Sequence, residues 1–258
     1  MLTNENYYDD TSHMSVSLFK VFLECEHKGL ATYRKEYHRP DTTALLVGSY
    51  VDAWVEGTLD EFITNHPEII SSRGATKGQL KAEFKQANDM IDRIESDPVF
   101  MEYLQGEKQV ILTGEIGGMK WKGKLDVLHN ERIVDFKTAR STERVMGKTM
   151  IDHWGYDIQG AVYQKLEGTG KPFYDAIVTK ETPVNLEIVH INQQNLNVAM
   201  ELVLKRLPRI KKIINGEVEP MRCNCCDYCR ETKKITKPID SDLLGLSEQE
   251  IKIIEGEI

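Results

Sequence analysis

No stretch of the 258-residue chain approaches the roughly 18 consecutive apolar residues that a membrane-crossing helix needs. The opening MLTNENYYDD is polar and acidic, and it lacks the basic, apolar and small-residue zones of a leader or transit peptide. A soluble, cytoplasmic protein without a membrane partner is the expectation. Positive charge is also scarce: 33 Lys and Arg stand against 41 Asp and Glu, a formal net charge of −8. That balance argues against general affinity for nucleic acid, although a local basic groove remains compatible with it. Internal repeats, low-complexity tracts and clear linkers are missing, so one domain over residues 1–258 is expected.

The cysteines are few and unevenly placed. Cys25 is alone, whereas Cys223, Cys225, Cys226 and Cys229 crowd into seven residues. In a reducing compartment such a cluster points to metal ligation rather than disulfides. Cys223, Cys226 and Cys229 follow a C-x-x-C-x-x-C spacing that aims three thiolates at one centre, and Cys25 is the obvious fourth ligand. A four-cysteine tetrahedral site takes Zn²⁺ or an iron–sulfur cluster, and spacing alone does not choose. Residues 15–37 read as one amphipathic helix, with Leu18, Val21, Phe22 and Cys25 on its inner face. Without its partners, Cys25 would be a small buried hydrophobe.

Residues 119–138, MKWKGKLDVLHNERIVDFKT, carry most of the chemistry. Two strand-like runs flank Asn130-Glu131, and a hairpin turning there sets Asp126 opposite Asp135, with β-carbons about 4.5–5.5 Å apart. Lys137, two residues on, projects from the same face. Two carboxylates so close are unfavourable without a cation between them, and Mg²⁺ or Mn²⁺ is the natural occupant. Lys137 is then placed to hold an attacking water or to offset charge in a phosphoryl transition state. The bland alternative is a solvated strand face; the apolar neighbours Val134 and Phe136 speak for a central strand instead.

Along the rest of the chain, residues 43–57 form an apolar helix interrupted by Asp52, either a site residue or part of a solvated stripe with Glu56. Residues 76–94 read as a polar helix aligning Lys77, Lys81 and Lys85, and Asp97-Pro98 starts a short helix. Residues 108–116, 119–128 and 132–138 make a three-stranded meander, in which Glu115 is a further candidate carboxylate or an exposed strand residue. Arg140, Arg144 and Lys148 follow in a polar, basic loop suited to phosphates. Gln159 and Tyr163 share one face of a helix over 155–167. Two strands, FYDAIVTKE and NLEIVHI, a long helix over 193–215 and an acidic terminal helix over 237–258 complete the chain.

G-K-L-D126 followed by I-V-D135-F-K137-T resembles the core of the PD-(D/E)XK nuclease superfamily, with Leu125 in the less strict Pro position. Q-x-x-x-Y at Gln159 and Tyr163, just after that strand, is similar to a motif of RecB-like nucleases; the implied role is to orient the lysine and touch DNA. Those relatives carry a metal-binding histidine where G-S-Y-V-D here puts Asp52, a carboxylate acceptable to Mg²⁺. The order of elements matches the α/β restriction-endonuclease-like fold, an αβββαβ core with helical additions. One cysteine before the core and three behind it resemble AddB-like and CRISPR-associated relatives, which bind a [4Fe–4S] cluster; Zn²⁺ stays open because the final spacing is tighter here. The N-terminal helix (about 15–37) and the Cys-rich segment (about 220–232) would be joined by that metal.

The resemblance spans residues 15–232 and points to the RecE-like, exodeoxyribonuclease VIII-like group of phage-type recombination. It implies a metal-dependent DNA exonuclease that acts on duplex ends beside a single-strand annealing protein, and it admits a homo-oligomer. Asp52, Glu115, Asp126 and Asp135 would bind metal, Lys137 would act on the water or transition state, and Gln159 and Tyr163 would position substrate. Two rivals remain at this point: a CRISPR-adaptation-type iron–sulfur nuclease, and a four-cysteine metal module that binds without cutting.

Overall fold

The chain opens on α1 (Val16–Glu24), started by Ser15, whose hydroxyl accepts from the Leu18 N–H, and α2 (Glu26–Tyr33). Then come α3 (Thr43–Glu56), α4 (Leu59–Asn65), α5 (Ala82–Glu95) and α6 (Pro98–Tyr103). Three strands follow, β1 (Glu107–Ile116), β2 (Met119–Leu128) and β3 (Ile133–Ala139). After α7 (Met150–Trp154) and α8 (Tyr156–Glu167), β4 (Phe173–Thr179) and β5 (Leu186–Ile191) finish the sheet. The helices α9 (Gln193–Ile214), α10 (Asp227–Glu231) and α11 (Glu248–Ile254) close the chain. These elements come from a computed structural model that describes residues 2–38, 40, 42–235 and 238–256.

The five strands lie in the order β1-β2-β3-β4-β5. β2 and β3 are antiparallel and pair Val127 with Val134 and Leu128 with Ile133, the register expected from the sequence. β3 and β4 run parallel, joined through α7 and α8, and β5 returns antiparallel to β4. This is a mixed α/β architecture, with α3 ahead of the meander and α8 as the crossover.

The chain divides into two compact units. One comprises Pro40–Leu112 and Gly123–Ala199. Its core joins Val127, Val134, Phe136, Ala176 and Val178 of the sheet to Val47, Tyr50 and Val51 of α3, and to Phe84, Met90 and Ile94 of α5. Each valine, isoleucine, phenylalanine or methionine among them contributes about 1.5–3 kcal/mol through burial. Gly48 lets α3 lie close on β3: a β-carbon there would sit 2.9 Å from Thr138 Oγ1. Asp135 alternates with Val134 and Phe136 and so faces the opposite side, which α8 covers. Gly160 admits α8 to that side, since a β-carbon would meet the Phe173 ring at 2.6 Å.

The second unit comprises Met1–Arg39, Thr113–Lys122 and Met200–Ile258. Gly117 (φ 59°) and Gly118 (φ 71°) turn the β1–β2 hairpin here, a left-handed pair that glycine adopts at little cost. Trp121 is fully buried, its ring 5.7 Å from that of Phe19. Buried Lys122 donates to the carbonyls of Tyr7 and Asp10 and pairs with the Asp10 carboxylate at 3.3 Å. Glu26 takes both prongs of Arg209, at 2.5 and 2.7 Å, and the Met221 N–H at 2.9 Å. Among the described residues no helix is long and apolar enough to cross a membrane.

Three expectations about helices need correction. The run over 15–37 is two helices, because Cys25 is extended (φ −162°, ψ 115°), ending α1 and starting α2. The apolar spacing continues through this one-residue break, which is why periodicity conceals it. The helix expected over 76–94 begins at Ala82, so Lys85 lies on it and Lys77 and Lys81 do not. Residues 69–81 instead fold on themselves: Ile70 bridges Leu80, and Ser71 and Gln79 share a 2.8 Å backbone hydrogen bond. Among the described residues of the C-terminal stretch, the α-helical part is Glu248–Ile254, started by a Ser247–Glu250 capping box. Residues 237, 257 and 258 of the expected 237–258 helix lie outside those described.

Candidate active site and cysteine cluster

β2, β3 and α8 bring Asp126, Asp135, Lys137, Gln159 and Tyr163 together. The Lys137 ammonium pairs with Asp135 Oδ2 and donates to Gln159 Oε1 at 3.0 Å. Gln159 Nε2 donates to Asp135 Oδ1 at 2.8 Å and reaches Tyr163 Oη at 3.2 Å. One amide thus fixes both ends of the Asp135–Lys137 pair, and the i, i+4 spacing on α8 sets Tyr163 beside that amide. Asp126 is held from the next strand: its Oδ2 accepts the Phe136 N–H at 2.8 Å, and its Oδ1 accepts from Gln109 at 3.3 Å.

The electrostatics follow from burial. Burial raises the Asp126 carboxyl well above its ordinary value, and the neighbouring Asp135 charge raises it further. Burial works against the Lys137 ammonium too, but Asp135, Asp175 and Asp126 outweigh it and keep the lysine protonated. Asp52, partly buried on α3, is pushed to about 7, first by desolvation and then, against the pull of Lys137, by Glu56 and Asp135. It belongs to this electrostatic neighbourhood and not to a freely solvated stripe. Burial thus disfavours the charged forms of Asp126 and Asp52, and a hard divalent ion beside them would favour those forms. Among the described residues, only the cysteines place three or more possible ligand atoms within 4.8 Å of one another; the carboxylates do not form so closed a set.

The ligand atoms of Cys25, Cys223, Cys226 and Cys229 do lie within 4.8 Å of one another. Cys25 Sγ is 3.5 Å from Cys229 Sγ, which is 3.9 Å from Cys223 Sγ. Burial disfavours the Cys223 thiolate, yet the N–H groups of Cys225 and Cys226 draw its pKa down to about 6. Burial instead pushes Cys25 up to about 11 and raises Cys226 strongly. Four converging sulfurs, with backbone N–H donors at Cys223, Cys226 and Cys25, fit a metal centre. Cys225 is exposed and outside the set. The centre would join the α1–α2 junction to the segment before and within α10.

Residues 15–232 match the family described as PDDEXK-like domain of unknown function (DUF3799). The chain belongs to this family. The crystal structure of a "Putative exonuclease" from Eubacterium rectale is similar at 43% identity, covering 95% of this chain and 98% of that one, with a TM-score of 0.87. No curated protein matches the sequence.

This PDDEXK-like domain also holds polar groups that the sequence reading passed over. Asp175, fully buried on β4, is the in-register neighbour of Asp135, and its charge bears on Lys137 and Tyr156. The signal was one carboxylate inside FYDAIVT, an otherwise apolar strand. Tyr156 places its ring 4.8 Å from Lys137 Nζ. Gln109, which holds Asp126, has a left-handed backbone (φ 54°) that no sequence pattern announces. Glu115 is exposed in the hairpin tip that belongs to the other unit, and is not brought into the group above. Arg140, Arg144 and Lys148 are exposed between β3 and α7.

Proposed function

We propose that this PDDEXK-like domain is a metal-dependent DNA exonuclease of the RecE-like kind, acting in phage-type homologous recombination beside a single-strand annealing protein. The observation that carries the proposal is the Asp126–Asp135–Lys137–Gln159 group, in which buried acids and a fixed ammonium converge on one sheet face. The similarity to a protein named as an exonuclease supports the same reading.

Asp126, Asp135 and Asp52 would hold Mg²⁺ or Mn²⁺, and Glu115, exposed in the other unit, would not. When bound, the ion supplies Lewis-acid polarisation of the scissile phosphate. Lys137, kept protonated by its acidic neighbours, serves as a cation and donor at the transition-state oxygens and not as a base. Gln159 fixes the direction of that ammonium, and Tyr163, buried beside it and accepting from its amide, would help to position the substrate. The two units together form one nuclease domain in this reading. A [4Fe–4S] cluster, or Zn²⁺, held by the four cysteines would fasten the α1–α2 junction to residues 220–232.

The test is hydrolysis of end-labelled duplex DNA with Mg²⁺. Asp135→Asn removes a ligand and half of the Lys137 pair at nearly constant volume, so cutting should fall by at least a hundredfold while the fold persists. Undiminished cutting by Asp135→Asn would falsify the assignment.

A further inference from the structure

Residues 140–149, between β3 and α7, build a small hairpin whose tip the fold does not explain. Val145 and Lys148 exchange both backbone hydrogen bonds at 3.0 Å, closing a two-residue turn on Met146 (φ 51°) and Gly147 (φ 80°). Turns with two left-handed residues favour Asn-Gly or Asp-Gly, because a longer side chain there costs roughly 1–2 kcal/mol. Gly147 suits the turn and Met146 does not. Packing does not account for Met146 either, since it is 91% exposed. Local conformation and burial both argue against methionine at this position, so its selection points outward, to something it touches.

The surroundings indicate what. Arg144 and Lys148 are exposed beside the apolar tip and Arg140 is exposed where the segment leaves β3, and Arg144 Nη1 braces the tip by donating to the Gly147 carbonyl at 3.1 Å. At the base of the hairpin lies a cavity of about 320 Å³, lined by Thr142, Arg144, Thr149, Ile151, Ile177 and Glu187 among others. Ile177 is the register partner of Lys137, so the cavity borders the strand position that carries the lysine. Apolar walls suit the face of a base, and the Glu187 carboxylate with two threonine hydroxyls suits the amino groups along its edge. Cations at the rim suit phosphates. A flat membrane would use the apolar tip and the cations but not the cavity.

We propose that this hairpin parts the end of a nucleic-acid duplex: Met146 wedges between terminal base pairs, the three cations hold the backbone, and the cavity receives one unstacked base. Apolar side chains act in this way where proteins unstack base steps. The proposal rests on the nuclease reading for the identity of its ligand.

The test uses a short blunt duplex with a fluorescent adenine analogue in its terminal pair, bound to protein carrying Asp135→Asn so that it stays whole. Fluorescence should rise severalfold with Met146 or Met146→Leu, and hardly at all with Met146→Asn, which suits the turn and keeps the hairpin. In cutting-competent protein, Met146→Asn should lower the ratio of duplex to single-strand hydrolysis about tenfold, because unstacking a step costs a few kcal/mol. An equal fluorescence rise in Met146→Asn, or an unchanged ratio, overturns the wedge and leaves the nuclease reading standing. Failure of the unmodified protein to cut either substrate overturns the nuclease reading, and the fluorescence comparison then judges the hairpin alone.

Discussion

Replacing Asp52 by Asn should stabilise the metal-free protein, and only at neutral to alkaline pH. A carboxyl that titrates near 7 in the folded protein, against an ordinary 3.8, keeps its proton through a window in which the unfolded chain releases it. The folded state then binds more protons than the unfolded one, so stability falls as pH climbs from about 4 to about 7. The shift corresponds to about 4 kcal/mol at most, and partial hydration of Asp52 reduces the expected effect to about 2 kcal/mol. Asparagine has the same shape and cannot ionise, so the variant should escape the loss. For a chain of this size about 2 kcal/mol is a rise of roughly 4–8 °C in Tm. Thermal melts of both proteins with chelator, at about pH 8, should show that gap, and melts near pH 4 should show none. Added Mg²⁺ should then stabilise the parent more than Asp52→Asn at about pH 8, because the variant offers the ion one charged ligand fewer. A pH-independent difference between the two proteins would refute the reasoning and return Asp52 to an ordinary surface role.

Other outcomes follow from the same geometry. Gln159→Ala should slow hydrolysis about 10–100-fold, the usual scale for a residue that orients a site from behind, and should cost about 1–3 kcal/mol of stability because it strips a partner from buried Asp135; an unaltered rate would show that its hold on Asp135 and Lys137 does not bear on cutting. Cys25→Ser and Cys226→Ser should lose bound metal in elemental analysis, whereas Cys225→Ser should keep it. Because Cys25 and Cys229 are 204 residues apart, opening the loop should cost about 5 kcal/mol on the chain-entropy scale, or roughly 10–20 °C in Tm; melting within a degree or two of the parent speaks against a metal clamp. Gly48→Val drives a β-carbon into Thr138 Oγ1 at 2.9 Å and should cost about 1–3 kcal/mol in urea denaturation, while an unchanged midpoint would show that α3 can shift freely.

The sequence was most legible where local geometry dictates the answer. A short turn fixes the register of a hairpin, so the placing of Asp126 against Asp135 could be read from Asn130-Glu131 and borne out in the pairing of Val127 with Val134. The parallel neighbour was not legible. β3 and β4 are joined through two helices, no turn sets their register, and Asp175 therefore gave no sign that it lies beside Asp135. Gly160 gave no sign of its close approach to Phe173, because the strand beneath its helix follows from no local pattern. The lysine stripe failed because a spacing of four residues means one face only within a helix, and residues 77–81 belong to a folded loop. At Cys25 the reverse held: the cysteine grouping was apparent from spacing, but the extended backbone that turns its sulfur toward the others was not.

The discontinuity of the second unit has a consequence for biosynthesis. Pro40–Leu112 and Gly123–Ala199 leave the ribosome before any residue past Met200, so the unit holding the carboxylates can fold on the nascent chain. The unit holding the cysteines cannot close until Cys223, Cys226 and Cys229 have emerged, and Cys25 waits through nearly the whole of synthesis as a reduced, unligated thiol. Ribosome-bound chains halted before Cys223 should accordingly react with a thiol reagent at Cys25 while the sheet already resists protease. Oxidants that reach the nascent chain would strike that one sulfur first, and a metal held by the four cysteines would be loaded only as the closing event of assembly.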